Sequence, residues 1–249
     1  MIANIFHKEN EFQVDFSKPI DISIPLHSHT NCVSAWYVKP MSLEPVRNGD
    51  WIGDVSKGGS VNFRNILFNP HGNGTHTECV GHISKEFITI NHCLKRFMFL
   101  AELISIRPEQ LANGDFVISK KQIELALTHD NAEALIIRTL DNTGDKLSHQ
   151  YSNSNPIYIT EEAMAFLNKT KVEHLLFDMP SVDKEIDGGI LAAHHMFWQY
   201  PHNTQFQKTI TELIYVANEI TDGTYFLNLQ IASFENDASP SKPVLYKIN

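Results

Sequence analysis

The apolar residues of this chain come in short runs closed by turn residues, and that limits it to a sheet-rich fold with few helices. Asp21–Leu26 (DISIPL) alternates polar and apolar positions, the pattern of a half-buried strand. Phe97–Ile106, Ala134–Thr139, His174–Asp178, Tyr225–Ser233 and Pro243–Ile248 are rich in Ile, Leu, Phe and Tyr and read as sheet. None approaches the roughly 18 consecutive apolar residues of a membrane span. Helices are predicted in three places. Ser119 and Gln122 form a capping-box pattern ahead of a helix running to about His129. Thr160 caps a second, with Glu161 and Glu162 in its first turn, and a third covers Ile190–Trp198. Strands and helices alternate after Gln110, behind a strand-like first half. The expected class is therefore α/β, one domain over residues 1–249 with a mixed sheet and a few flanking helices. Asp141–Pro156, rich in Asn, Ser and Gly, reads as a surface excursion.

Composition narrows the partners. A net charge of −9 argues against a nucleic-acid backbone or an anionic membrane as the main partner. The N-terminal residues show no secretion-signal pattern, and three cysteines without CxxC spacing suit reduced thiols in a cytoplasm. Thirteen histidines are the oddity.

Four of the ligand-type side chains fall within twelve positions of Asn69–Ile83 (NPHGNGTHTECVGHI): His71, His76, Glu78 and His82. Imidazoles and a carboxylate at this density suit Zn, Mn or a similar divalent ion. In an extended segment His76 and Glu78 point the same way, and Gly72 and Gly74 let His71 approach from the other side. A second cluster lies downstream: Asp178, Ser181 and Asp183 at the end of a strand, then the pair His194–His195. Carboxylates at such a strand end commonly line a ligand crevice, and they also serve as ordinary turn and cap residues. Glu212, inside ITELIYV, is either water-facing on an amphipathic edge or buried against a partner or a metal.

GTHTECVGH resembles the H-x-G-T-H-x-D-x-x-x-H signature of the cyclase superfamily, which includes bacterial kynurenine formamidase and isatin hydrolase. DISIPL, FDMPSVD, His194 with Phe197–Trp198, Glu212–Leu213 and SFENDASPSKPVLY are similar to later elements of that family, in the same order. The resemblance implies a swivelling β/β/α-type fold and a homodimer. It also implies one or two metal ions on His71, His76, Glu78, His194 and Glu212, with His82 as general base or acid. The activity implied is hydrolysis of a formamide, lactam or related C–N bond in a small molecule. Trp36, Trp51, Phe63 and Phe68 would then supply an aromatic wall, or serve as core. A lyase, lactonase or dehydratase on the same scaffold, or a metal-free binding protein, are the alternative readings.

The sequence departs from the signature at the first histidine, which should lie four residues before His76, where Gly72 stands. Either a local bulge restores His71, or Asn73 supplies an oxygen, or the ligand is lost. Glu78 replaces aspartate and is one methylene longer. His195 rivals His194 for its role. Cys79 could be a soft ligand or a reactive thiol, with packing the default.

Overall fold

In a computed structural model, which describes residues 1–29, 31–129 and 131–248, the expected sheet closes on itself. Its strands are β1 (Ile20–Asp21), β2 (His76–Glu78), β3 (Met98–Ile106), β4 (Ala134–Thr139), β5 (His174–Phe177), β6 (Thr209–Glu212), β7 (Gly223–Ile231) and β8 (Ala238–Lys247). The order β7-β3-β4-β5-β6-β2-β8 returns to β7 through a β7–β8 pairing, so seven strands form a mixed barrel, with β1 added at the side of β8. β3, β4, β5 and β6 run parallel to one another, and the remaining pairings are antiparallel. The mixed α/β class expected from the sequence is what forms.

Strand pleating divides the core in two. Ala134 and Ile136 face one apolar cluster with Leu103, Leu176, Leu227 and Leu245. Leu135 and Ile137 face the other, with Ile104, Leu175, Phe177 and the helix residues Ile123, Ala163, Leu167 and Phe197. Because β4 is buried on both faces, its first four residues, 134–137, are continuously apolar rather than alternating. The covering helices are α3 (Lys120–Ala126), α4 (Glu161–Leu167) and α5 (Ala192–Trp198), which follow the short α1 (Pro70–Asn73) and α2 (Ile90–Cys93).

Several element limits differ from expectation for identifiable reasons. Both halves of the Ser119/Gln122 capping box form, but α3 stops at Ala126. The Glu102 carboxylate takes the backbone N–H groups of Thr128 and His129 and the Thr128 hydroxyl, which ends the helix and satisfies a carboxylate buried in β3. α5 starts at Ala192 because Leu191 adopts a left-handed φ of 48°. Within DISIPL, Ile22 and Ile24 are buried as alternation requires, yet only Asp21 belongs to a strand; Ser23 adds an isolated bridge to Ile214. The 141–156 excursion is not wholly at the surface. Lys146 turns inward, donating to the Thr139 carbonyl and hydroxyl, to Asn142 and, at 2.7 Å, to the Asp178 carboxylate, and Tyr151 is buried.

His174 on β5 is buried against Phe99, with Nδ1 2.8 Å from the Thr209 hydroxyl. Burial, then the nearby Arg96 and Lys208 charges, push its pKa down to about 3. The unfolded chain protonates this ring below about 6.5 while the folded chain keeps it neutral. Stability is therefore lost as pH falls from about 6.5 to about 3, at roughly 1.4 kcal/mol per pH unit for this group. A His174→Gln variant should lose correspondingly less stability than the parent between pH 6.5 and 4.5 in denaturant melts. Parallel losses would show that the ring charges without cost.

Candidate metal centre

Three paired strands fix most of the centre by register alone. β2 lies between β6 and β8, with His76 opposite Glu212 and Pro240, and Glu78 opposite Ile210 and Ala238. His76 and Glu78, two residues apart, emerge on one face, while Thr77 points to the other and bonds Thr211 and Ser241. Cys79 packs in the barrel-side core as a free thiol. At the end of β2 the chain turns tightly through a 3-10 turn, Val80–His82, which brings His82 back beside Glu78. Gly81 is required within that turn, because a Cβ there would lie 2.0 Å from the Ile88 carbonyl oxygen.

His71 joins the same cluster despite its extra residue of separation. α1 coils Pro70–Asn73 into a single turn, with Asn69 capping the His71 N–H, and this sets His71 Nδ1 3.1 Å from Glu78 Oε2. The bulge anticipated from the spacing is this turn. Asn73 is not available as an oxygen donor to the cluster: its side-chain oxygen accepts the Asn69 N–H and its amide donates to the Lys39 carbonyl. Gly72 carries the Ala35–Val38 loop, since a Cβ would meet Val38 Cγ2 at 2.5 Å and the Ala35 carbonyl oxygen at 2.8 Å. No side chain, histidine included, fits where the signature would place one unless that loop moves.

α5 delivers His194. Asp183 accepts the backbone N–H groups of Ala193 and His194 and, at 2.6 Å, the His194 Nδ1–H, leaving Nε2 3.1 Å from Glu78 Oε1 and 3.9 Å from Glu212 Oε1. His195 points elsewhere, to the Tyr200 carbonyl, so His194 is the histidine in the centre. Of the earlier acidic cluster, Asp183 serves the centre, Ser181 lines the adjoining cavity, and Asp178 is committed to Lys146. Glu212 is buried, with Oε1 accepting the Val182 N–H and Oε2 3.4 Å from His76 Nε2.

The donor set is one that suits a cation. His76 Nδ1 lies 3.0 Å from the Gly74 carbonyl, which fixes the proton there and turns a bare Nε2 inward. That Nε2 is a buried atom with no hydrogen-bond partner, an expensive arrangement unless something else binds it, and Glu78 Oε2 beside it has only the His71 Nδ1 contact at 3.1 Å. Ligand atoms of His71, His76 and Glu78 all lie within 4.8 Å of one another, as do those of Glu78, His82 and His194. The residues fit a divalent ion. Burial alone would lower the pKa of His71 and of His194, but hydrogen bonds to Asp237 and Glu78, and to Asp183 and Glu78, push both up to about 10. Glu78 is held well below the carboxylate range, its burial outweighed by the histidines around it.

The centre forms the floor of a cavity of about 390 Å³ that Trp36, Val38 and Leu191 wall on the apolar side. Trp36, Leu191 and Leu213, which follows Glu212, all have φ near +50°, a strained conformation for residues with side chains. Trp51 and Phe63 pack against each other in the 42–67 segment, and Phe68 against Phe234. The group that sequence reading missed is Asp237, just before β8, whose Oδ2 lies 2.9 Å from His71 Nε2 and 3.2 Å from His82 Nδ1. No local pattern marks it; only the β2–β8 register brings it here.

Residues 20–184 match the family model described as "Putative cyclase". The chain belongs to that family. Kynurenine formamidase of Bacillus anthracis is 27% identical over 238 residues, covering 93% of this chain and 99% of that protein. The enzyme of the same name from Bacillus mycoides (strain KBAB4) gives the same figures. Among solved structures, an isatin hydrolase bound to the product analogue thioisatinate shares the fold with a TM-score of 0.67 at 14% identity, covering 93% of each chain. A structure described as a predicted metal-dependent hydrolase from Bacillus stearothermophilus has a TM-score of 0.65 at 17% identity, over 92% of this chain and 98% of that one.

Proposed function

We propose that this cyclase-family chain is a metal-dependent hydrolase that opens an amide-type C–N bond, a formamide or a cyclic amide, in a small planar substrate. The observation that carries the reading is the gathering of His71, His76 and His194 around the buried Glu78, with Glu212 3.4 Å from His76 and 3.9 Å from His194 and with the buried His76 Nε2 left unpartnered. Kynurenine formamidases and isatin hydrolase as relatives support the bond type. His71, His76 and Glu78 would hold one ion, and Glu78, His194 and Glu212 a second, with Zn or Mn the metals suited to nitrogen and carboxylate donors.

A divalent ion at this point lowers the pKa of water toward neutrality and polarises a substrate carbonyl. The chain's own groups do the rest. Trp36, Val38 and Leu191 hold a planar ring and keep bulk water from the floor. His82, whose side chain is about 30% exposed on the cavity side, takes a proton from the attacking water and returns it to the departing nitrogen. Asp183 keeps Nδ1 of His194 protonated, so that Nε2 is the nitrogen offered to a cation.

The test is elemental mass spectrometry on untagged protein together with hydrolysis of formanilide, isatin and an aryl lactone. One or two equivalents of Zn or Mn with turnover of an amide substrate is the expected result. Turnover of the lactone alone would move the assignment to a lactonase, and protein that takes up no ion on reconstitution would end the metal reading.

The three cysteines are free and buried, in keeping with a reducing cytoplasm. For assembly, the paired strands Ser42–Pro45 and Arg64–Leu67 expose Ile66 and Leu67 on opposite faces, with Phe63 exposed just before them, and a second copy would cover such apolar side chains. A homodimer is expected in sedimentation, and Ile66→Glu with Leu67→Glu should split it. A wild-type monomer at tens of micromolar would remove this part of the proposal.

A further inference from the structure

We infer that Asp237 is a positioning residue that sets the tautomers of His71 and His82 together, so that one carboxylate oxygen prepares both a metal ligand and the general base. Its Oδ2 lies 2.9 Å from His71 Nε2 and 3.2 Å from His82 Nδ1, and the two rings stack with centroids 4.4 Å apart. Among the described residues no lysine or arginine pairs with Asp237; the two histidines are its ionic partners. An ionised carboxylate only accepts hydrogen bonds, so the nitrogen each ring turns toward it must carry the hydrogen. For His71 that fixes a hydrogen on Nε2, so that Nδ1, 3.1 Å from Glu78 Oε2, is the nitrogen on which a cation would replace a proton. For His82 it places the hydrogen on Nδ1 and leaves Nε2 as the basic atom.

The backbone gives Asp237 little freedom to do otherwise. Its carbonyl accepts the N–H of Cys79, the residue after ligand Glu78, at 3.1 Å. Asn236 on one side accepts the Ile90 N–H, and Ala238 on the other pairs with Glu78 across β2 and β8. The carboxylate thus moves with the strand that carries His76 and Glu78. A histidine free in solution prefers its hydrogen on Nε2, so His82 would present the wrong atom without this contact; the general rule is that the partner of one ring nitrogen decides the state of the other.

The effect on rate rests on the hydrolase reading above, whereas the tautomer does not, and the test separates them. Imidazole nitrogen chemical shifts of the full chain at about pH 8, above the ordinary histidine range, should show His82 hydrogenated on Nδ1, with and without zinc. In Asp237→Leu, similar in size but with no acceptor, His82 should shift to Nε2–H. Zinc affinity by chelator competition should fall roughly 10–100-fold, and kcat on formanilide should fall more than KM changes. Asp237→Asn keeps an acceptor oxygen and should restore the His82 tautomer and most of the zinc affinity. It also guards against a Leu variant that fails to fold. If wild-type His82 carries its hydrogen on Nε2, or if folded Asp237→Leu changes neither tautomer nor zinc affinity, the inference is wrong. A protein with the predicted tautomer but no zinc binding would instead overturn the hydrolase reading and leave the positioning role of Asp237 toward His82 standing.

Discussion

Glu78→Ala should empty the centre: bound metal falls below about a tenth of an equivalent, and kcat/KM on an amide substrate drops by at least about 10³-fold. Glu78 pairs with three histidines of the centre, lying 3.1 Å from His71, 3.1 Å from His194 and 3.8 Å from His82. It is wholly buried, so its removal also strands histidines whose protons it neutralises. The loss of rate follows from chemistry, because water without a cation reverts from a pKa near 7 toward 15.7. Elemental analysis and steady-state kinetics on the same preparation read both effects. Retention of a full equivalent of metal would mean that Glu78 balances charge without ligating.

His82→Ala should behave differently, and the contrast carries the assignment of roles. Positioned proton transfer contributes about 10²–10⁴-fold, so kcat should fall in that range. Metal content should stay near the wild-type value, because His71, His76, Glu78, His194 and Glu212 are intact. Small imidazoles added to the medium should restore part of the rate, since the His82 side chain reaches the cavity and its removal leaves space there. If the variant lost its metal, His82 would have to be counted with Glu78 and His194 as a ligand, a grouping whose donor atoms are close enough.

Much of this was legible in the residues, and the remainder was hidden for physical reasons. Alternation and apolar runs located the strands, because burial on one or two faces writes itself into local sequence. The candidate ligand triplet His71, His76 and Glu78 was visible because it is local. The choice between His194 and His195 was not, since it depends on where a left-handed Leu191 starts α5 and which ring then faces Asp183. Asp237 could not be found by pattern, because an aspartate in a loop looks the same whether it caps a turn or holds two imidazoles 155 and 166 residues away. Closure of the sheet into a ring was likewise beyond local reading, since it is a property of the pairing between β7 and β8. The inward turn of Lys146 overrode a polar, loop-like sequence through one buried ion pair.

The placement of β2 between β6 and β8 also bears on the order in which the molecule comes into being. Thr77 bonds to partners 134 and 164 residues further along, so the strand holding the first ligands has neither neighbour until nearly all of the chain has been synthesised. Contacts this distant in sequence form late, because the entropy of closing long loops must be met before they return any stabilisation. On the metal reading proposed above, a cation would find the whole centre only once that ring has closed, unlike one that seeds a zinc finger, and a loaded centre would record that β8 has found its place.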